Sequence, residues 1–260
     1  MNKYIIGSGW WCGENVGRNT NGDDIIRGKD FHKLWYNSII QNTNPQKILI
    51  VDSNSPVKPE LNLNDGRIEF ISFNTNLGHS TKMGLSNKFC GWSASVLLAL
   101  QYAYLCDTEY FVYVEQDVLL AGGGIVDSLI AEMKKNNKKY IFGSPGNTPQ
   151  PLQQSFFIIK KEFIPEFICA LHNIKYSDQD IGPEYKFAIA VDPIARFLPK
   201  ALFLNRYFRY LYRKLVSINF MSIGYGRIRP FNLDDDFLYF QHGSIEEVNS
   251  YENKFIKKMK

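Results

Sequence analysis

Short apolar runs alternate with polar, glycine-containing turns along the chain. Residues 3–6, 47–51, 68–73, 110–114, 140–142 and 155–159 are runs of β-branched and aromatic side chains of strand length, and 237–241 (FLYFQ) is a late one. Between them apolar residues recur at helical spacing. Phe31, Leu34, Trp35, Ile39 and Ile40 mark a helix from Asp30 to about residue 41, and Val96, Leu97, Leu100, Ala103 and Tyr104 mark one over 92–105. Further helices are predicted over 125–135, 162–172, 183–190 and 203–217. Segments 15–24 and 76–90 are polar and glycine-rich and predict loops, as does Gly7-Ser8-Gly9 after the first strand. Strand, helix, strand, strand, helix, strand is the grammar of an α/β domain with a central, mostly parallel sheet flanked by helices. No repeat or low-complexity linker divides the 260 residues, so one domain is expected, ending in a polar helical tail over 246–260.

One run breaks this grammar. Residues 110–120 read YFVYVEQDVLL, with two carboxylates and an amide inside an apolar stretch. Buried acids are costly unless something pairs with them. Side chains at i and i+2 of a strand share a side, so Glu115 and Asp117 face one way and Gln116 the other. Two carboxylates on one side suit a hard divalent cation; a solvated strand end is the plainer reading. Ser8-Gly9-Trp10 and Asp52-Ser53-Asn54 also end predicted strands. In a parallel sheet the ligand sits at those carboxyl ends, which favours the first reading.

Composition narrows the field little. The chain is 45% hydrophobic and 22% charged, as a globular core requires, and its net charge of +4 is too small to call for nucleic acid. Cys12, Cys90, Cys106 and Cys169 form no CxxC or zinc spacing. Scattered thiols predict a reduced, cytoplasmic setting. The start of the chain reads as a strand, not a signal peptide, and no apolar run reaches transmembrane length.

The ordered set of motifs resembles the GT-A class of nucleotide-sugar-dependent glycosyltransferases. A small-residue loop follows the first strand, KILIVDSNSP ends the second in an acid, and Glu-Gln-Asp in YFVYVEQDVLL has the form of the family's Asp-x-Asp motif. SFFIIKKEF, SDQDIGPE and FQHGS follow in the family's order. The resemblance implies a GT-A, Rossmann-like fold. Its donor half would run to about residue 145, and an acceptor half would cover 146–245. It implies a UDP- or GDP-sugar donor, Mn²⁺ or Mg²⁺, and a hydroxyl acceptor on a glycan, lipid or protein. Asp117, Glu115 and His242 would bind the metal. Ser8, Gly9, Trp10, Asp52, Trp92, Ser93, Glu115 and Gln116 would line the donor site, with Asp52 on the base. Core packing is the alternative reading for Trp10, turn capping an equal one for Asp52, and helix capping the alternative for Ser93.

An inverting transferase needs a carboxylate to take the acceptor proton. Asp180 is the first candidate and Glu184, one helical turn on, the second; capping of the helix after Pro183 is the alternative role for Asp180. A sugar nucleotidyltransferase is the competing enzyme, but it wants a basic glycine-rich loop after the first strand. Here Trp10 and Trp11 stand in that loop, with only Arg18 and Arg27 nearby. A non-catalytic nucleotide-sugar- or carbohydrate-binding protein is the competing class. On helix 203–217, Phe203, Leu204, Tyr207, Phe208, Leu211 and Leu215 form one face, with Arg206, Arg209 and Arg213 opposite. An apolar face turned to the core is expected there, with peripheral membrane contact through the basic side as the alternative.

Overall fold

The computed structural model describes residues 2–13, 24–80, 87–224 and 226–256. The predicted loop over 15–24 lies outside them up to residue 23, as do 81–86 of the glycine-rich stretch and 257–260 of the tail. In chain order the elements are β1 (Tyr4–Trp10), α1 (Phe31–Asn42), β2 (Lys47–Asp52), β3 (Ile68–Ser72), α2 (Gly91–Leu105), β4 (Tyr110–Val114), β5 (Val118–Ala121), α3 (Ile125–Lys135), β6 (Tyr140–Gly143), β7 (Gln153–Lys160), α4 (Ile164–Asn173), α5 (Asp178–Ile181), α6 (Pro183–Ala190), α7 (Lys200–Leu204), α8 (Arg206–Val216), β8 (Met221–Ile223), β9 (Leu238–Gln241) and α9 (Ile245–Tyr251).

The α/β class and the mostly parallel sheet are as the pattern predicts. Seven strands lie in the order β3-β2-β1-β4-β7-β6-β8, and β7 alone runs against the others. Strand alternation divides the core into two layers. Tyr4, Ile6, Ile48, Ile50, Val112 and Val114 face α1 and α3. Ile5, Leu49, Val51, Phe111 and Tyr113 face α2, α4 and α6. Because β7 inserts between β4 and β6, the two halves implied by the resemblance share one sheet.

Three local expectations change. First, the segment predicted as a loop after residue 6 is strand: β1 continues in parallel register with β2 as far as Trp10 opposite Asp52. Its glycines are there for close approach. A Cβ on Gly7 would lie 2.7 Å from the Phe111 ring and 2.9 Å from the Ala99 methyl, and one on Gly9 would lie 2.9 Å from the Tyr113 hydroxyl. Second, 110–120 is not one strand. A turn closed by Val118 N–H to Glu115 C=O (3.0 Å) ends β4 and sends β5 into a separate two-stranded sheet with β9. Third, the helix predicted over 203–217 is two. Asn205 interrupts it, its side chain accepting from the N–H groups of Tyr207 (2.9 Å) and Phe208 (3.1 Å) to cap α8.

A buried ion pair joins α2 to the α5–α6 segment. Asp178 accepts from Cys90 N–H (2.7 Å) at the start of α2 and from Lys186 Nζ (2.6 Å) on α6, with both side chains 1% exposed or less. Burial pushes the Lys186 pKa down, and Asp178 opposes that shift. Removing one member of such a pair strands the other in a water-poor interior. Asp178→Ala is therefore expected to lower unfolding free energy by ~3–5 kcal/mol in urea titration. A loss below ~1 kcal/mol would show that water reaches Lys186.

Candidate active site

The site is built at the carboxyl end of β4, and the β5–β9 pairing completes it. Their antiparallel register sets Gln241 opposite Val118, which brings the next residue of β9 back toward Asp117. His242 Nε2 lies 3.4 Å from Asp117 Oδ2, and Arg27 donates to the same oxygen at 3.1 Å. Asp117 is 3% exposed, and its Oδ1 is buried with no hydrogen-bond partner. His242 adopts a left-handed backbone, φ 57°, uncommon outside glycine and concentrated at functional sites.

Glu115 sits beside this group. Its Oε2 accepts from Gln241 Nε2 (2.8 Å), and Gln241 Oε1 in turn accepts from Gln153 (3.3 Å) and Arg227 (3.2 Å). Burial and the nearby Asp117 charge push the Glu115 pKa up to about 8, against the pull of Arg227 and Arg27. Burial drives His242 down to about 4, opposed by Asp117, so its imidazole is neutral at pH 7. Glu184, in the first turn of α6, adds to the field on Glu115, and its own pKa is raised by burial. Two carboxylates, a neutral imidazole and a third acid thus face Arg27 and Arg227.

Further buried polar atoms around this corner lack partners: Gln153 Oε1, Gln154 Oε1 and Ser155 Oγ at the start of β7, Tyr239 OH on β9, and Trp92 Nε1 on α2. Ser155 adjoins Glu115 directly, its C=O accepting Glu115 N–H at 2.8 Å. Such atoms are rare in folded proteins, and each calls for a partner such as bound water or a ligand. Trp92 packs edge-on to Tyr113 and against Phe187, forming an aromatic wall between α2 and α6.

The other predicted residues are spread more widely. Gln116 lies in the turn between β4 and β5, where strand alternation does not apply, and its side chain reaches the Trp11 backbone. It clamps the Trp11 backbone, accepting from its N–H (2.5 Å) and donating to its C=O (3.0 Å). Trp10 is buried edge-on to His32, and Ser8 and Ser93 are buried. Asp52 is fully buried and tied to its own loop: it accepts from Ser55 N–H (3.1 Å) and Ser72 Oγ (2.6 Å) and pairs with Lys58. Burial disfavours its charge, but these partners outweigh burial and hold its pKa below normal. Asp180 is on the surface, apart from this cluster. Its Oδ2 closes a capping box with Ser177 (2.8 Å to the N–H, 3.0 Å to Oγ), and its Oδ1 pairs with Lys200 at 2.5 Å. Arg27, Arg227 and Gln241 carry the electrostatics of the site without having been singled out in the sequence. The FQHGS motif and the arginine-rich segment before it were the available signals.

Among the described residues no group of three or more His, Cys, Asp or Glu side chains is arranged to hold a metal ion. Asp117 and His242 are the pair that could share one.

No family model and no curated protein sequence matches the chain. Solved structures do resemble it. S. aureus TarS (1–349) is 12% identical, with a TM-score of 0.43 over 93% of this chain and 60% of that one. A mannosyltransferase from Pyrobaculum calidifontis, PcManGT, solved with GDP-Man and Mn²⁺, is 9% identical, with a TM-score of 0.47 over 96% of this chain and 59% of that one. A CMP:2-keto-3-deoxy-manno-octonic acid synthetase complexed with CTP is 8% identical, with a TM-score of 0.45 over 89% and 93%. This chain spans 60% of the shorter TarS structure and 38% of the longer. The likeness extends to the fold and no further.

The field on Glu115 gives a pH signature. A carboxyl whose folded pKa lies above its unfolded value holds its proton longer in the native state. Its contribution is intact below about 4.5 and is lost as pH rises toward about 8. Glu115→Gln keeps an acceptor for Gln241 and removes the charge. Its melting temperature is expected to match wild type near pH 4.5 and to exceed it by several degrees at pH 8. Equal melting temperatures at both pH values would mean that Glu115 ionises freely.

Proposed function

We propose that the chain is a nucleotide-sugar-dependent glycosyltransferase that moves a sugar from a UDP- or GDP-sugar to an acceptor hydroxyl. The observation that carries this reading is the Asp117 carboxylate. It is buried at the carboxyl end of a parallel strand, with one oxygen unpartnered, a neutral imidazole beside it and a second carboxylate forced to share its field. Arg27 engages only the other oxygen of Asp117, so the unpartnered one remains available to a ligand.

A divalent cation fits that donor set. Mg²⁺ and Mn²⁺ take oxygen ligands, Mn²⁺ tolerates imidazole, and at nucleotide sites such ions use one or two carboxylates plus substrate phosphates rather than a full protein cage. Asp117 and His242 would hold it, with Glu115 beside them as a carboxyl hydrogen-bonded to Gln241. Bound there, the ion would neutralise negative charge on the diphosphate leaving group. Arg27 and Arg227 bring fixed positive charge to the same corner. Trp92 offers a flat wall, and its unpartnered N–H a donor, on the α2 side.

Glu184 is the better base of the two acids predicted for that role. Its pKa is raised by burial, toward the range in which a carboxylate accepts a proton well. Asp180 is exposed, its two oxygens are engaged, and Lys200 and Ser177 hold its pKa below normal. Those features describe a helix cap.

Incubation with UDP- and GDP-sugars and Mn²⁺ should release nucleoside diphosphate. Consumption of a nucleoside triphosphate with release of pyrophosphate would instead indicate a nucleotidyltransferase, and binding without turnover a non-catalytic protein. Glu184→Gln should lower kcat by ~10²–10⁴-fold with little change in donor Kd. Asp180→Asn should stay within a few-fold of wild type. Asp117→Asn should abolish Mn²⁺-dependent nucleotide binding while the protein remains folded. The reverse ranking of Glu184 and Asp180 would return the base to Asp180, and full activity of Asp117→Asn would remove the metal from the scheme.

A further inference from the structure

The α7–α8 segment presents an apolar surface that the fold does not cover. Half of the large apolar and aromatic side chains left exposed among the described residues fall between 194 and 218. Phe197 is 90% exposed and Tyr207 78%; Leu204, Leu211, Leu215 and Ile218 are more than half exposed. On α8, Tyr207, Tyr210, Leu211 and Leu215 share the outward stripe, while Tyr212 and Val216 take the inward one. This reverses the expectation that Leu204, Tyr207, Leu211 and Leu215 face the core.

Charge says what such a surface meets. Lys200, Arg206, Arg209, Arg213 and Lys214 fall in this segment, and no Asp or Glu occurs anywhere from 193 to 233. Lys214 stands within the outward stripe, 4.8 Å over the Tyr210 ring, and Arg206 lies 5.7 Å from the Tyr207 ring. A surface cavity of about 390 Å³ opens beside it, lined by Tyr210, Arg213, Lys214 and Ser217 among others. Lys200 pairs with Asp180, and Arg209 and Arg213 turn to backbone carbonyls; that leaves Arg206 and Lys214 among exposed leucines and interfacial tyrosines, the composition of a helix lying on an anionic bilayer. A two-fold contact with a second copy would bring the cations of two such faces together without an acid of this segment between them. Among the described residues no helix is long and apolar enough to cross a membrane, so the contact is one of lying on the surface.

We propose that this face of α7 and α8 docks the protein on an anionic lipid bilayer. Docking would set one end of the candidate site beside the membrane. Arg213 on α8 donates to Thr148 C=O (2.5 Å) in the loop after β6, and Arg209 lies 4.8 Å over the ring of Tyr185, next in sequence to Glu184. Tyr185 OH donates to Pro149 C=O (2.9 Å) in the same loop. The surface and the α6 end of the site are thus one connected unit.

The test is co-sedimentation of the full chain with phosphatidylcholine vesicles and with phosphatidylcholine–phosphatidylglycerol vesicles, without donor. Wild type should pellet with the anionic vesicles, not with the neutral ones, and less as salt rises. Leu211→Glu with Leu215→Glu, and separately Arg206→Glu with Lys214→Glu, should each lower the bound-to-free ratio at least ~10-fold at an unchanged melting temperature. Wild type remaining in the supernatant overturns the proposal, as does equal binding to neutral vesicles. A leucine double variant that binds like wild type overturns it too. A dimer by light scattering that becomes monomeric in the leucine variant would show that a second copy covers the face. None of these readouts depends on transferase activity.

Discussion

The mutual repulsion of Glu115 and Asp117 in a buried corner is the constraint around which this fold is arranged. At low effective dielectric two carboxylates so placed cannot both ionise freely, and the raised pKa of Glu115 records it. Several of the elements that reach the corner answer that charge. The segment before α1 brings Arg27, and the stretch before β9 brings Arg227. β9 contributes Gln241, whose amide donates to Glu115 and whose carbonyl collects two donors. α6 adds another acid, Glu184, which makes the corner still more negative. A structural ion pair needs no such excess, as Asp178 and Lys186 show: one anion, one cation and a backbone N–H satisfy each other. At Glu115 and Asp117 the acids and arginines do not satisfy each other so completely: one Asp117 oxygen is left without a partner.

Backbone geometry makes that concentration possible. A continuous strand through 110–120 would have run Asp117 along the main sheet. The turn at 115–117 instead detaches β5, which then pairs with β9. That pairing fixes, by register alone, which residue returns to Asp117. A slip of one residue would bring Gln241 or Gly243 there and bury the opposite faces of β9. The left-handed backbone of His242 is part of the same geometry, since the chain must leave β9 sharply to enter α9. Gln116 fastens Trp11 and closes the far side of the turn.

Much of the sheet was legible because strand length and composition are local properties. After their first residue, runs such as KILIV and SFFII are apolar, as strands buried on both faces must be. The end of β1 was not legible, because Gly7 and Gly9 read as flexibility when they stand for contact with Phe111, Ala99 and Tyr113. At the site, the spacing argument drew attention to Glu115 and Asp117, but it assumed a strand where the chain makes a turn. The roles of Arg27, Arg227 and Gln241 did not follow from spacing. Each depends on a pairing between residues far apart in sequence, and an isolated Arg or Gln in a polar segment carries no mark of its partner. The position of Asp180 was not legible for a related reason. A capping carboxylate and a catalytic one look alike in SDQD, and only the short reach back to Ser177 and the Lys200 pair distinguish them.

The inversion of α8 shows the limit of helical periodicity most plainly. Two stripes at the same spacing were available: Tyr207, Leu211 and Leu215, or Phe208, Tyr212 and Val216. Amphipathic counting does not choose between them. Aromatic packing does. Phe203, Phe208 and Tyr212 form a closed cluster, with Phe203 edge-on to the other two at 5.3 and 5.2 Å and Phe208 stacked on Tyr212 at 5.8 Å. Rings of that size bury more apolar area than leucines and add edge-to-face attraction. Once they turn inward, the Asn205 cap fixes the rotation of α8. The remaining leucines and tyrosines then have nowhere to go but outward. Arg209 and Arg213, predicted to be solvated, are drawn in against backbone carbonyls at Phe203, Gly146 and Thr148. The core is satisfied at the cost of an apolar surface set among cations, so the exposed stripe follows from how α8 packs and is not a gap left by a missing neighbour.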